Sequence, residues 1–193
     1  MLQSFGNGPG QGENLEKNRA AYAGSERKET MIEGRDRINS ILSNGLYKEY
    51  LQKIARHEEH REFCHHDMEH FLAAARIAYI INLERGFNIK KDMIYAAALL
   101  HDIGRWKQYE ENMSHETASA ELSPEILKQS GFSEAEIHEI VGAVIGHRKS
   151  CDEQGRLEEI LYYADKQSRN CFECHAASRC NWAEEKRNSR IKY

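Results

Sequence analysis

An apolar run, Ala96-Ala97-Ala98-Leu99-Leu100, ends in an adjacent histidine and aspartate, His101-Asp102, followed by Ile103 and Gly104. A buried carboxylate is costly unless it is paired or bound to a cation. A metal-loving doublet at the end of an apolar helix therefore reads as the centre of a metal site. His70 lies upstream and Asp165 downstream. The separations are long, so each residue must come from a different element, which is how a helical bundle builds a metal site in its core. Imidazole and carboxylate ligands suit manganese, iron, nickel, cobalt, zinc or magnesium. Ten histidines are many for 193 residues, and their positions matter more than their number.

The elements that must position these residues read as helices. Ile38, Ile41 and Leu42 form a short apolar stripe that breaks at Ser43-Asn44-Gly45, and Leu46, Tyr47, Tyr50, Leu51 and Ile54 form a second. These are i, i+3, i+4 spacings. Arg56 to Glu62 is highly charged and reads as a solvated end. Phe63 to Leu83 is the next expected helix, stopped by Gly86, with His66 and His70 four apart on one face. A central helix from Met93 to Asp102, apolar nearly all round, would be capped by Asp92 and ended by Gly104, with Arg105 opening a loop. Ser114 would cap a helix from His115, broken or kinked at Ser123-Pro124. Ser133-Glu134-Ala135-Glu136 is a capping box opening a helix that ends near His147. A last helix starts near Arg156 and carries Asp165 and Lys166 toward its end. With no convincing strand and no repeat, the expected architecture is all-α: a single helical bundle over residues 31–193 with the metal site in its core.

Residues 1–30 read differently. They are Gly-, Asn- and Gln-rich and then charged, with too little apolar surface to offset ordering entropy. They are expected to form a disordered extension, and Met31 is an alternative start. The formal net charge of −4 gives no overall bias toward nucleic acid or anionic membrane. No apolar stretch reaches the ~18 residues needed to span a bilayer, and Met1 to Gly12 lacks a secretory pattern. The expected compartment is the cytoplasm, where the five cysteines stay reduced.

The chain resembles the HD-domain superfamily of metal-dependent phosphohydrolases, whose pattern is H…HD…D. The residues that carry the resemblance are His70 before Phe71-Leu72-Ala73-Ala74-Ala75, the doublet His101-Asp102 between Ala98-Leu99-Leu100 and Ile103-Gly104, and Asp165 before Lys166-Gln167-Ser168-Arg169. The resemblance covers roughly residues 46–170. It implies that His70, His101, Asp102 and Asp165 are metal ligands. Some members hold a second metal with extra histidines between the doublet and the last aspartate, and His115 and His147 occupy suitable places. His115-Glu116-Thr117-Ala118-Ser119-Ala120 looks like the helix start of the bacterial symmetrical diadenosine tetraphosphate hydrolases of this superfamily.

The implied reaction is cleavage of a phosphate ester or pyrophosphate bond in a small phosphorylated molecule, a nucleotide, by metal-activated water. One or two ions would neutralise phosphoryl oxygens and lower the pKa of water toward ~7; two ions ~3.5–4 Å apart would share Asp102 as a bridge. Arg105, Lys166, Arg148 and Arg169 are the candidate grips for phosphate, Lys166 foremost, and each also reads as a plain surface charge. His66, one turn before His70, is a candidate to orient that ligand or to touch substrate. His57, His60, His65 and His138 read as surface residues.

Two readings of a different class stand beside the hydrolase. One is a nucleotide-sensing module without turnover, and the other is a di-iron oxygenase of HD type. A nucleic-acid partner is disfavoured for want of a recognition motif. The cysteines form a separate question. Cys171-Phe172-Glu173-Cys174-His175 matches a haem-attachment pattern, and Cys171, Cys174 and Cys180 have roughly usable zinc spacing. Reduced thiols packing the C-terminal segment are the favoured reading.

Overall fold

The computed structural model describes residues 36–148 and 156–192. The extension expected over residues 1–30 lies outside them. Among the described residues the regular structure is helical throughout: α1 Arg37–Ser43, α2 Gly45–Glu58, α3 Met68–Arg85, α4 Lys91–Leu100, α5 Arg105–Glu111, α6 His115–Gln129, α7 Glu134–Gly146 and α8 Arg156–Gln167, followed by three short 3₁₀ turns. None of these helices is long and apolar enough to cross a membrane.

α4 is the axis of the bundle. Met93, Ile94, Ala96, Ala97, Ala98, Leu99 and Leu100 are all buried, and the helix packs against α1, α3, α6, α7 and α8. The three consecutive alanines let neighbouring backbones approach on more than one side, and large residues from those neighbours, Phe71, Ile126, Ile140 and Ile160 among them, complete the core. Burial on every side is what its all-round apolar sequence requires.

The helix ends follow local chemistry, and several lie elsewhere than the sequence pattern suggests. α3 begins at Met68, not Phe63, because Asp67 adopts an extended conformation and accepts a hydrogen bond from the His70 backbone N–H. His66 is therefore off the helix, in an irregular segment where its backbone N–H is claimed by Glu58. Gly86, at φ +64°, closes α3 with a left-handed cap. α4 starts at Lys91 behind Lys90, with no side-chain cap, and it stops at Leu100. Residues 101–104 form a tight turn. Arg105 then opens helix α5 where a loop was expected; Gly104 is the residue before its first turn. Pro124 sits inside a continuous α6. The ring removes one backbone donor, but Ala118, Ala120, Ile126 and Leu127 on either side are buried, and that packing carries the helix across it. Ser133 and Glu136 form the expected capping box at α7.

The polar C-terminal segment is tied down by side-chain donors. Asn188, 3% exposed, donates its amide to the carbonyls of Lys166 (2.7 Å) and Arg169 (2.9 Å). The Arg187 guanidinium donates to the carbonyls of Trp182, Ala177 and Cys180. The first pair satisfies open carbonyls at the C-terminal end of α8, the end that carries Asp165 and Arg169. Asn188→Ala is expected to cost about 1–3 kcal/mol, because it strands two acceptors. It should lower the melting temperature by roughly 3–10 °C. A substitution at Ile191, which is 70% exposed, should leave it within a degree or two of wild type.

Candidate metal centre

Two groups of ligand atoms converge in the bundle interior. His70, His101, Asp102 and Asp165 form one, and Asp102, His115 and His147 form the other; within each group the ligand atoms lie within 4.8 Å of one another. Five elements supply them. His70 comes from the first turn of α3. His101 and Asp102 come from the turn after α4. His115 opens α6, His147 caps α7, and Asp165 lies in the last turn of α8.

The hydrogen-bond partners fix which face each imidazole presents. His101 and His147 both end a helix, and each turns Nδ1 back onto the carbonyl three residues earlier, Ala98 at 2.7 Å and Val144 at 2.5 Å. A carbonyl only accepts, so Nδ1 donates and Nε2 is the nitrogen turned inward. His70 repeats the arrangement with Ser168: the hydroxyl donates to the Asp165 carbonyl and accepts from Nδ1. His115 Nδ1 meets Gln108 Oε1 at 3.0 Å. Four imidazoles thus aim Nε2 inward, with the Nε2 atoms of His70 and His101 3.3 Å apart, and outer hydrogen bonds hold each ring in place.

Those nitrogens face carboxylate oxygens. Asp102 Oδ2 lies 3.3 Å from His101 Nε2 and 3.9 Å from His70 Nε2. Asp165 Oδ1 lies 3.4 Å from His70 Nε2 and 3.6 Å from His101 Nε2. Asp102 Oδ1 turns the other way, 3.2 Å from His115 Nε2 and 3.9 Å from His147 Nε2. The Asp102 side chain is 2% exposed, and its Oδ1 has no hydrogen-bond partner. Imidazole nitrogens and carboxylate oxygens this close in a buried space call for positive charge among them, a proton on His101 or a metal ion. These donors fit a divalent cation: a four-ligand set with two carboxylates and a three-ligand set sharing Asp102.

The titration of the cluster agrees. Burial opposes charge on the imidazoles, and it holds His70, His147 and His115 below their ordinary value, His115 at about 3. His101 moves the other way. Burial would lower it, but facing Asp102 and Asp165 push it up to about 9. Burial would raise both carboxyls, yet the attraction of His101 and the nearby guanidinium groups holds Asp102 and Asp165 well below the usual range.

The candidate cations surround the groups at different depths. Arg105 Nε is 3.3 Å from Asp102 Oδ1. Arg169 donates from Nη2 to His70 Nε2 (3.1 Å) and from Nη1 to the His65 carbonyl (3.0 Å). Lys166 Nζ donates to Asp165 Oδ2 at 3.1 Å, and its side chain is 34% exposed. Arg148 is set further out, 56% exposed and 3.6 Å from Glu116 Oε2. His66 belongs to neither ligand group but points at the first, with Nε2 3.6 Å from Asp102 Oδ2. Neither group contains a cysteine; Cys64, Cys171, Cys174 and Cys180 are free thiols.

Sequence reasoning misses three residues that support the site. Glu58, from the stretch expected to be a solvated helix end, is 2% exposed. It accepts from the His66 backbone N–H (2.7 Å), from His66 Nδ1 (2.5 Å) and from the Tyr109 hydroxyl (2.6 Å). Gln108 and Ser168 are the other missed supports. Spacing offers a signal for those two, since each follows a predicted site residue by three positions, Arg105 and Asp165. Glu58 has none, because its partners come from a loop and from a helix absent from the pattern.

Burial would raise the Glu58 carboxyl, but the donors from His66 and Tyr109 prevail and hold it at about 2. Against an ordinary 4.5, this is a depressed folded-state value. Ionised Glu58 therefore contributes stability above pH 4.5 that is lost as pH falls through about 2. The full contribution is on the order of 3 kcal/mol. Glu58→Gln is expected to be less stable by about that amount at pH 7 in urea titrations. The gap to wild type should close as the pH is lowered below 4.5; a gap that does not change with pH would contradict it.

The HD domain family matches the chain over residues 67–170. A protein of Clostridium beijerinckii described as uncharacterized is 43% identical over 158 residues, 82% of this chain and 99% of the relative. Ribonuclease Y of Fervidobacterium nodosum is 28% identical over 114 residues, 59% of this chain and 20% of that protein. Ribonuclease Y of Geobacter metallireducens is 27% identical over 146 residues, 75% of this chain and 26% of that protein. The chain thus spans about a fifth of one ribonuclease and about a quarter of the other. No solved structure matches it.

Proposed function

The chain belongs to the HD domain family, and from that premise we propose that it is a metal-dependent phosphohydrolase. Its substrate is a small phosphorylated molecule, a nucleotide, and the bond cleaved is a phosphate ester or a pyrophosphate. The observation that carries this reading is the pair of ligand groups sharing Asp102, whose inward imidazole nitrogens and unpartnered carboxylate oxygen converge in a buried space. His70, His101, Asp102 and Asp165 would hold one cation; Asp102, His115 and His147 would hold a second. Manganese, iron, nickel, cobalt, zinc and magnesium all remain compatible with these ligands.

A divalent ion at such a cluster supplies Lewis acidity, neutralising phosphoryl oxygens and acidifying water into a nucleophile. The protein's own groups do the rest. Lys166 reaches the surface beside Asp165 and binds the outer phosphate oxygens. Arg105 and Arg169 lie deeper and bind oxygens nearer the reacting phosphorus, Arg105 with the planar fork that suits phosphate. Arg148 adds positive potential at the rim. His66, with its Nδ1 fixed by Glu58, presents Nε2 to the same space and orients the substrate. Ser168, Gln108 and the Ala98 and Val144 carbonyls keep the ligand imidazoles from rotating.

The test is phosphate release by metal-stripped protein reloaded with each metal in turn. The panel contains mononucleotides, nucleoside di- and triphosphates, dinucleoside polyphosphates and a short RNA, the last because two relatives are ribonucleases by name. Metal-dependent release from a small nucleotide, with the RNA left intact, is the expected result. Cleavage of the RNA alone would move the substrate class to nucleic acid. Binding without turnover across the panel would favour the sensing module. Oxygen consumption by the iron-loaded protein without phosphate release would favour the oxygenase.

A further inference from the structure

The two oxygens of Asp102 face unequal surroundings. Oδ2 looks into a group where a second carboxylate, Asp165, is also present. Among the described residues Oδ1 is the single carboxylate oxygen in the second ligand set, and it already has a cation beside it: Arg105 Nε at 3.3 Å. Both atoms are buried, and neither has a hydrogen-bond partner of good geometry. Arg105 also donates from Nη1 to Gln108 Oε1 (3.1 Å), the same oxygen that fixes the His115 ring (3.0 Å). The guanidinium is therefore built into the wall of the second group, next to the oxygen a cation there would need. Arg169 approaches the first group in a similar way, through His70 Nε2. There, however, two carboxylates remain to attract an ion.

Ligand charge sets the affinity of a site for a hard divalent cation, and a fixed positive charge beside the sole carboxylate oxygen works against it. A phosphate reverses the balance. Guanidinium binds phosphate oxygens through two parallel hydrogen bonds, which draws the positive charge off Asp102 and adds negative charge at the second group. We propose that Arg105 makes the second metal ion conditional on phosphate. In the resting protein the first group holds an ion and Arg105 occupies the face of Asp102 that a second ion would use. A phosphate-bearing ligand takes Arg105 and admits the second ion. Linkage makes the effect reciprocal: the second ion must strengthen phosphate binding by the same factor that phosphate strengthens the ion. The inference rests on the metal-centre reading above.

Manganese titrations of metal-stripped protein test it, followed by calorimetry and by electron paramagnetic resonance, which separates single from coupled manganese ions. Inorganic phosphate is the probe. Wild type is expected to take one ion tightly and a second at least tenfold more weakly, and phosphate should tighten the second at least tenfold. Arg105→Gln is expected to take two ions of similar affinity without phosphate, and phosphate should then change the second less than twofold. Arg105→Lys keeps the charge and should leave the second ion weak.

Two equally tight ions in phosphate-free wild type would overturn the role of Arg105 and leave the metal-centre reading standing. Loss of the second ion in Arg105→Gln would overturn it too, assigning Arg105 to the support of Gln108 and His115. Uptake of no ion by any of the three proteins would overturn both the inference and the reading beneath it. The phosphate response of wild type needs no variant, so a poorly folded Arg105→Gln protein would not shield the proposal.

Discussion

Replacing Asp102 with alanine is expected to empty both ligand groups at once. Each of the other ligands belongs to one group, whereas Asp102 supplies Oδ2 to the first and Oδ1 to the second. Metal content by elemental mass spectrometry should fall from one or two ions per chain to background. Activity with the preferred nucleotide should fall at least about a thousandfold, which corresponds to roughly 4 kcal/mol of lost transition-state stabilisation. A thermal measurement separates this from misfolding. An ion at a hundred times its dissociation constant stabilises a native protein by about 2.7 kcal/mol, which is worth roughly 5–11 °C in a domain of this size. Wild type should show that rise when metal is added, and Asp102→Ala should melt at one temperature with or without it. Asp165→Ala is the informative companion, because it removes a ligand from the first group alone and should leave a response from the second when phosphate is present. A variant at Asp102 that still binds metal stoichiometrically would mean that the doublet is a helix end and nothing more.

The parts of this centre that could be read from the sequence are those where chemistry restricts residue type. Ligand atoms must be imidazole or carboxylate, so the doublet His101-Asp102 stands out at the end of an apolar run, while His70 and Asp165 are legible from order and spacing, and the structure brings all four together. Helix ends with a dedicated cap, Ser133 and Gly86, were legible for the same reason. What was not legible depends on the partner, not on the residue. α5 has one buried residue, Trp106, so it lacks the stripe by which an amphipathic helix announces itself. The charged run from Arg56 to Glu62 looks solvated and says nothing about Glu58, whose burial is decided by His66 and Tyr109 arriving from elsewhere. Pro124 reads as a break, yet the lost hydrogen bond is one term against the burial of four neighbours on the same helix. In each case tertiary packing overrode a local preference. Sequence position makes Arg105 and Arg169 candidates for gripping phosphate, and the structure adds what position could not: both guanidinium groups lie against ligand atoms.

Gly104→Ala is expected to be the most damaging single-methyl change near the site. The sequence suggests a glycine that ends a helix, and its φ of −83° is one that any residue can adopt. Space is the real constraint. A Cβ placed there would lie 2.3 Å from the Ser119 backbone nitrogen and 2.6 Å from both the backbone carbon and the Cβ of Ala118. These are mostly backbone atoms of α6, so no rotamer change can relieve the contact, and either the turn after His101-Asp102 or the whole of α6 must move. Overpacking usually costs 1–3 kcal/mol where side chains can give way. With backbone on the other side, about 3 kcal/mol or more is expected, a fall in melting temperature of roughly 6–12 °C. The functional consequence follows from where His115 sits. It opens α6, three residues before Ala118, and its Nε2 lies 3.2 Å from Asp102 Oδ1. Where α6 gives way, the second group opens, while the first, whose ligands come from α3, the turn after α4 and α8, keeps its geometry. Gly104→Ala should therefore retain one tight ion and lose the phosphate-supported second. Ser119→Ala supplies the control: it deletes the hydrogen bond from the Gly104 N–H (2.9 Å) without adding an atom. It should cost about 1 kcal/mol and leave both ions in place. If the two variants lost metal alike, the contact between this turn and α6 would matter for its hydrogen bond. If only Gly104→Ala did, the glycine is there to let two backbones meet.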